Sequence, residues 1–171
     1  MIIILSFLEI FACSCEWYDT IQEKNVLFNN SQYVFIGIPY KNIIPFSSNS
    51  KGYEYLVDIQ KVYKGEINTK TVMIIQHKSS NCAALLSNKD SILFFVNKVD
   101  SIKKYVPDTT NRHFKPGYKS KEKTFYLNNG FRYQLIKNLH KKHLTFTGNQ
   151  CVIFDLTSKG WLDYVNYLNT K

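Results

Sequence analysis

The sequence predicts a mainly β, single-domain protein: a strongly curved sheet or closed barrel of five or six strands, with helices at its two ends. Three observations lead to this prediction. Apolar residues alternate or cluster over strand-length segments, and turn-forming residues separate those segments. Helical spacing of apolar residues is found in two segments, one near each terminus. The 171 residues are enough for one core of ordinary size, and no internal repeat divides them.

The strands are predicted in the apolar segments. In the second segment, residues 53–63, tyrosine and aliphatic residues alternate with polar residues. This alternation changes phase after Ile59, which indicates a β-bulge near Gln60. Gly37, inside the first segment, indicates a bulge or a close approach of another chain segment. The last segment is continuously apolar, which is typical of a strand buried on both faces. The predicted strands cover residues 32–38, 53–63, 71–77 and 91–96.

Helices and connections follow from spacing and turn residues. Residues 16–28 predict a first helix, and Ser158 can cap a last helix whose apolar face holds Trp161, Leu162, Val165 and Leu168. Residues 124–127 and 133–136 could pair as a hairpin across an Asn-Asn-Gly turn. Three segments are predicted to connect these elements: a polar loop over 40–52, a connector over 78–90, and a lysine-rich excursion over 100–123 that we expect to be mobile.

Charge and composition exclude several function classes. The net charge of +9 comes almost entirely from lysine, since Arg112 and Arg132 are the only arginines. Lysine is a solvated point charge, whereas nucleic-acid interfaces favour the forked guanidinium, so we interpret this charge as a solvated surface. No serine or cysteine has an evident His/Asp partner set, and no glycine-rich phosphate loop is present. We therefore expect neither an enzyme nor a bound cofactor, and we interpret His140 and His143 as part of a solvated basic turn rather than a metal site.

The N-terminus indicates export. Residues 1–12 form an apolar run too short to span a bilayer but of signal-peptide length, and Ala12 suits the position before a cleavage site. No basic residue precedes the run and Glu9 interrupts it, which a start codon assigned too far downstream would explain. A buried first strand and a lipoprotein signal ending at Cys13 are the alternatives. The mature protein, residues 13–171, is expected to be secreted or in the cell envelope, and to associate with a membrane only if it is lipidated at Cys13.

The cysteine count agrees with export. Four cysteines, Cys13, Cys15, Cys82 and Cys151, would meet an oxidising compartment and form disulfides. A bond from Cys13 to Cys15 would close a strained short loop, so both are better paired with distant partners. Each such bond would stabilise the fold by roughly 4–5 kcal/mol in the chain-entropy model. A zinc site is disfavoured because Cys82 and Cys151 lack nearby second ligands.

These features together resemble the netrin-like domain, best known in the tissue inhibitors of metalloproteinases. The resemblance covers residues 13–151 and implies an OB-type five-stranded barrel flanked by helices. It also implies the pairing of Cys13 with Cys82 and of Cys15 with Cys151. The matching segments, in order, are Ala12-Cys13-Ser14-Cys15, residues 33–37, residues 53–57 with 62–65, Cys82 ahead of residues 91–95, and the late Cys151.

The resemblance implies a binding module rather than an enzyme. In the inhibitors, the first mature cysteine places its α-amino nitrogen and carbonyl oxygen on the zinc of a protease; here that residue is Cys13, and Ser14 would enter the pocket beside the metal. The expected partner is a zinc metalloprotease or another extracellular protein, bound by a monomer that itself holds no metal. Glu16 departs from the proline usual in the inhibitors, and a third barrel disulfide and a second cysteine-rich domain are missing. The alternative is an OB-fold nucleic-acid-binding protein that uses lysines and aromatic residues.

The disulfide pattern is directly testable. We expect non-reducing peptide mapping of the exported protein to find no free thiol and to find the bonds Cys13–Cys82 and Cys15–Cys151. Substitution of Cys82 should cost several kcal/mol of unfolding free energy, because it removes the closure of a long loop. A Cys13–Cys15 bond, or two free thiols, would contradict the pattern.

Overall fold

Residues 18–44, 54–76, 86, 90–107, 117–128, 130–148 and 152–171 are described in a computed structural model. They form three helices and nine strands within these ranges. In chain order these are α1 (Ile21–Asn30), β1 (Tyr33–Asn42), β2 (Glu54–Lys64), β3 (Thr71–Gln76), β4 (Ile92–Lys98), β5 (Ser101–Lys104), β6 (Gly117–Lys119), β7 (Thr124–Leu127), α2 (Phe131–His140), β8 (Thr145–Gly148), β9 (Ile153–Asp155) and α3 (Lys159–Asn169).

Five of the strands close into a barrel. Their order is β1-β2-β3-β8-β4, and β4 pairs back onto β1 from Val96 opposite Tyr33 to Ile92 opposite Gly37. The β3–β8 pairing is parallel, and the other pairings of the barrel are antiparallel. With β8 counted as the fifth barrel strand, this is the 1-2-3-5-4 order of an OB-type barrel. The predicted fold class, a mainly β curved barrel with flanking helices, is confirmed.

The barrel interior is filled by aromatic and β-branched side chains. Phe35 stacks on Phe94 with ring centroids 5.0 Å apart, and Phe146 lies 5.6 Å from Phe35. These rings are fully buried together with aliphatic residues of β2 and β3. Because successive residues of a strand face opposite sides, the alternation predicted for β2 supplies Tyr55 and Val57 to this interior.

The predicted bulge lies in β2 opposite Gly37. Ile59 pairs with Gly37 and Lys61 pairs with Ile36, so Gln60 is the extra residue on β2. The expected close approach at Gly37 is also present, because a Cβ atom there would lie 2.5 Å from Val57 Cγ1. The strand ends as predicted, with Gly65 at a φ of +82° directly after Lys64.

Helices α1 and α3 cover one outer face of the barrel. Val34, Leu93 and Phe95 point outward from β1 and β4 and pack against Leu27 of α1 and Tyr164 of α3. This cover explains the continuously apolar β4: all residues from Ile92 to Val96 are at most 3% exposed, so the prediction of a strand buried on both faces is confirmed.

The helix boundaries differ in part from the sequence-based expectation. The first helix begins at Ile21, not near residue 16, because Thr20 and Glu23 form a capping box that fixes its start. Ser158 occupies the N-cap position of α3 as predicted, but its side chain makes no capping hydrogen bond. Trp161 and Val165 face the barrel as expected, whereas Leu162 is 45% exposed and does not belong to the buried face. None of the described helices is long and apolar enough to cross a bilayer.

The opposite outer face is covered by α2 and a small sheet, which corrects two expectations. Residues 124–127 do form a strand, β7, but it pairs with β5 and β6 rather than with residues 133–136. Residues 133–136 belong to α2, because Tyr133 and Ile136, spaced for a helix, bury against the barrel.

The lysine-rich excursion, which we expected to be mobile, contains two strands. β5 and β6 both lie within it, and Ile102 of β5 is 6% exposed in the core beneath this sheet. Residues 108–116 lie outside the described residues. The loop expected over 40–52 begins later than predicted, since β1 continues to Asn42, and residues 45–53 also lie outside the description.

Gly37 provides a test of the barrel packing. We expect Gly37→Ala to lower the free energy of unfolding by about 1–3 kcal/mol, because the added methyl group meets Val57 Cγ1 and the Asp58 carbonyl oxygen, 3.0 Å away, inside a packed barrel. Gly160→Ala is the matched control: its Cβ would meet only Lys24 Nζ at 3.5 Å in helix α3. That change should be neutral or stabilise by up to about 1 kcal/mol. Urea denaturation measures the free energy of unfolding of both variants. If Gly37→Ala is as stable as Gly160→Ala, the close approach at Gly37 is contradicted.

Candidate functional site: the upper rim of the barrel

Several barrel strands begin or end at one end of the barrel, which we call the upper rim. It is formed by Asn42 at the end of β1, Glu54 at the start of β2, Gln76 at the end of β3 and Gly148 at the end of β8. The pairings Asn42–Tyr55, Glu54–Ile75 and Gln76–Gly148 hold these strand ends side by side. Leu86, in the connection from β3 to β4, packs against the barrel interior here, and its amide lies 3.5 Å from the Tyr55 hydroxyl.

The site residues predicted from the sequence, Cys13, Ser14, Cys15, Cys82 and Cys151, all lie outside the described residues. The structure describes the chain from Tyr18 onward, and residues before and after Cys82 and Cys151. Gln76 precedes Cys82 by six residues and Gly148 precedes Cys151 by three, and these two rim residues are direct partners in the β3–β8 pairing.

The described chain nearest to Cys15 is anchored beside the chain that follows Cys151. The Tyr18 ring contacts Phe154 and Trp161 edge-on, with centroid distances of 6.2 and 6.3 Å. Phe154 in turn stacks on Trp161 at 3.8 Å. Tyr18 follows Cys15 by three residues, and Phe154 follows Cys151 by three. Since three residues span at most about 10 Å, chain length permits these two cysteines to meet.

Asp19 and Thr20 continue this anchor. The Glu23 carboxylate accepts hydrogen bonds from the backbone amides of Asp19 at 3.0 Å and Thr20 at 2.9 Å. The Thr20 amide, as the main partner, holds the pKa of Glu23 below its usual value. Lys24, only 5% exposed, donates to the carbonyl oxygens of Gly160 at 2.9 Å and Asp19 at 3.5 Å. Each residue from Tyr18 to Thr20 is thus tied to a helix or to the aromatic cluster.

A buried ion pair braces the upper rim from the side. Glu54 is 2% exposed, and its Oε1 accepts from Arg132 Nε at 2.6 Å and is also contacted by Arg132 Nη2. Nη2 lies 3.5 Å from the carbonyl oxygen of Gln76. Arg132 thereby ties the first turn of α2 to the ends of β2 and β3. No local pattern predicts this brace, because Glu54 and Arg132 are 78 positions apart. The one signal in the sequence is that Arg132 is one of only two arginines in a lysine-rich chain.

Asn42 is the one polar side chain of the rim with an unsatisfied buried atom in the described part of the chain. Its Oδ1 is buried and accepts no hydrogen bond. Buried polar atoms are nearly always hydrogen-bonded, so we expect a hydrogen-bond donor to approach Asn42 Oδ1.

The barrel face that OB-type binding proteins commonly use is not accessible. In such proteins the face of the second and third strands holds the ligand. Here Leu56, Met73 and Ile75 of that face are at most 7% exposed, because Phe125 of β7 and Ile136 of α2 pack onto them. Ligand binding on this face would require α2 and the small sheet to leave it.

The histidines described in the structure do not assemble a metal centre. His140 Nδ1 lies 2.9 Å from Thr145 Oγ1, and Nε2 lies 3.3 Å from the Asp100 carbonyl oxygen, so both ring nitrogens are engaged. The described residues contain no group of three or more His, Cys, Asp or Glu side chains that could hold a metal ion.

Comparisons with known proteins add no relative: no family model, curated protein or solved structure matches the chain.

The Arg132–Glu54 brace predicts a large asymmetric effect. We expect Arg132→Ala to cost about 3–5 kcal/mol of unfolding free energy, because it removes the arginine that pairs with the buried Glu54 carboxylate. The double variant Glu54→Gln, Arg132→Met should recover much of this loss, since it removes both charges and keeps similar volumes. Chemical denaturation measures the free energy of unfolding of the single and the double variant. If both lose the same amount, packing rather than the lost ion pair causes the loss.

Proposed function

We propose that the protein is an exported netrin-like binding module whose N-terminal segment inhibits a zinc metalloprotease. In this proposal Cys13 is the first mature residue and chelates the catalytic zinc of the protease, while Ser14 occupies the pocket beside the metal. The observation that carries the proposal is the contact of Tyr18 with Phe154 and Trp161, because it holds the chain after Cys15 next to the chain after Cys151.

The anchor supports the disulfide Cys15–Cys151 that the proposal requires. The Cα atoms of a disulfide lie about 4.4–6.8 Å apart, within the reach that three residues on each side of the Tyr18–Phe154 contact allow. The bond Cys13–Cys82 rests on the netrin-like resemblance. In support of it, the connection that contains Cys82 leaves β3 at the upper rim, beside the strand end that leads to Cys151.

An N-terminal α-amine is a chemically suitable ligand for the catalytic zinc of a protease. A catalytic zinc keeps one coordination position open, and a neutral amine is a competent ligand there. The reference pKa of an α-amino group is about 7.7–8.0, so a useful fraction is neutral near pH 7. A segment held by two disulfides and by the Tyr18 anchor would lose little conformational entropy on docking. Lipidation of Cys13 would acylate this amine and remove the ligand, so the proposal requires an unmodified N-terminus.

The covered outer faces favour protein binding at the rim over the nucleic-acid alternative. α1 and α3 occupy one face of the barrel, and α2 with the small sheet occupies the other. Leu56 and Met73, on the face where OB-type nucleic-acid binders place their ligand, are core residues here. A partner is therefore expected to meet the ends of the barrel rather than its sides.

The proposal predicts that inhibition depends on the free amine of Cys13. Protein starting at Cys13 and protein with one additional alanine before Cys13 should be assayed against a panel of secreted zinc endopeptidases with a fluorogenic peptide. The extension replaces the α-amine by a non-basic amide nitrogen and displaces it, so we expect inhibition to be lost at unchanged disulfides and melting temperature. Ser14→Leu should instead change which protease is inhibited, because this side chain would fill a shaped pocket.

Two results would count against this mechanism. If the extended protein inhibits as well as the native one, Cys13 does not chelate the zinc. If neither form inhibits any enzyme of the panel, inhibition is abandoned and only a netrin-like binding module of another extracellular ligand remains proposed.

A further inference from the structure

A cavity of about 380 Å³ lies where helices α1 and α3 end beside the last residues of β2. Its volume is in the range of cavities that hold small molecules. We call it the helix-end cavity, and the residues that line it are Asn25, Phe28, Asn29, Tyr63, Leu168 and Lys171. Tyr63 is the second-last residue of β2, whereas Glu54 at the start of the same strand belongs to the upper rim. The cavity is therefore separate from the upper rim.

The inner walls of the helix-end cavity are apolar. Phe28 of α1, Tyr63 of β2 and Leu168 of α3 are partly buried, and all three pack against the core beneath the two helices. No Asp or Glu is among the described residues that line the cavity. An apolar group that enters would replace water on three hydrophobic side chains, which is favourable.

Side-chain hydrogen bonds hold the wall from β2 against the two helix ends. Lys64 Nζ donates to the carbonyl oxygens of Phe28 and Asn29, at 2.8 Å each, and lies 5.4 Å from the centroid of the Phe28 ring. The Tyr63 hydroxyl donates to Asn169 Oδ1 at 2.9 Å. Cations are favoured at the C-terminus of a helix, but at the end of α1 Lys64 already occupies that position. The helix end therefore does not select a cationic ligand.

A second set of hydrogen bonds joins the two helices directly. Asn25 Oδ1 accepts from the Tyr164 hydroxyl at 3.0 Å, and Asn25 Nδ2 donates to the Tyr167 hydroxyl at 3.4 Å. Burial raises the pKa of Tyr164 to about 12, so this phenol remains a donor at neutral pH. The walls of the cavity are thus fixed before a ligand binds, which lowers the entropic cost of binding.

The open side of the helix-end cavity carries a positive charge. Asn29 and Lys171 are the exposed residues of its lining. Lys171 Nζ lies 4.5 Å from the centroid of the Tyr167 ring, and its hydrogen bond to the Tyr167 hydroxyl lowers the pKa of that phenol. Lys171 forms no ion pair with any residue in the described ranges. A single ammonium group beside apolar walls attracts a ligand with one negative charge.

We propose that the helix-end cavity binds a small monocarboxylic acid with a compact apolar body. The body packs against Phe28, Tyr63 and Leu168, and the carboxylate pairs with Lys171 Nζ. The side-chain amide of Asn29 can donate to the same carboxylate. Because the cavity lies at the other end of β2 from the upper rim, this proposal does not depend on metalloprotease inhibition.

The test uses cinnamate and its neutral amide, cinnamamide, which have nearly the same shape but differ in charge. Lys171→Gln removes the ammonium group, and Lys159→Gln makes the same change in net charge at an exposed position at the start of α3. In calorimetric titrations at low salt, we expect Lys171→Gln to weaken cinnamate binding about threefold or more, and Lys159→Gln to change it less than about twofold. Cinnamamide should bind the native protein more weakly than cinnamate and should not respond to Lys171→Gln.

Leu168→Ala tests the apolar wall. It should weaken the binding of both compounds, since it removes hydrophobic contact surface. Melting curves of the three variants verify that each is folded.

Four results would overturn the proposal. Absence of saturable cinnamate binding by the native protein at millimolar concentration would eliminate the site. Equal losses in Lys171→Gln and Lys159→Gln would show that only net charge matters. Binding of cinnamamide as tight as that of cinnamate would show that the ligand is not selected as a carboxylate. An unchanged affinity of Leu168→Ala for both compounds would place the binding elsewhere.

Discussion

The pairing of β4 with β1 closes the barrel, and the other features of the fold follow from this closure. β4 also pairs with β8 and β9, and its residues Ile92–Val96 are buried on both faces. A strand that is apolar on both faces is stable only when both faces are covered. Phe94 therefore needs the interior rings of Phe35 and Phe146, whereas Leu93 and Phe95 need α1 and α3 on the outside.

Both outer faces of the barrel are covered by helices and the small sheet, so we propose that a partner binds at an end of the barrel. An open OB-type barrel can offer the face of its second and third strands to a ligand, but here the long insertion between β4 and β8 packs its own helix and sheet there. We propose that a protein partner binds at the upper rim.

Two cationic side chains, the partly buried Arg132 and the buried Lys24, hold the helices in place around this barrel. Arg132 reaches Glu54 and the Gln76 carbonyl, and Lys24 reaches the Gly160 carbonyl beneath the Trp161 ring, 5.0 Å from its centroid. Removing these charges from water costs free energy, so the contacts add little net stability. They form, however, in only one arrangement of the helices on the barrel. They specify where α2 begins and how α1 meets α3.

Local patterns in the sequence were enough to determine the features that depend on neighbouring residues. The alternation in β2, the bulge at Gln60, the close approach at Gly37 and the doubly buried β4 all follow from residues within a few positions of one another. The five predicted site residues likewise came from the sequence, through a resemblance that rests on their order and spacing, and they lie outside the described structure.

Only the tertiary structure decided what residues 124–136 and the lysine-rich excursion do. The Asn-Asn-Gly sequence is compatible with a hairpin, but Tyr133 and Ile136 gain more by packing as a helix on the outer face of β3, a surface that exists only once the barrel has closed. The pairing of Arg132 with Glu54 joins residues 78 positions apart, and the His140 contacts join α2 to Asp100 and Thr145. Local periodicity carries no information about such contacts, because they form only when distant segments have been brought together by the fold.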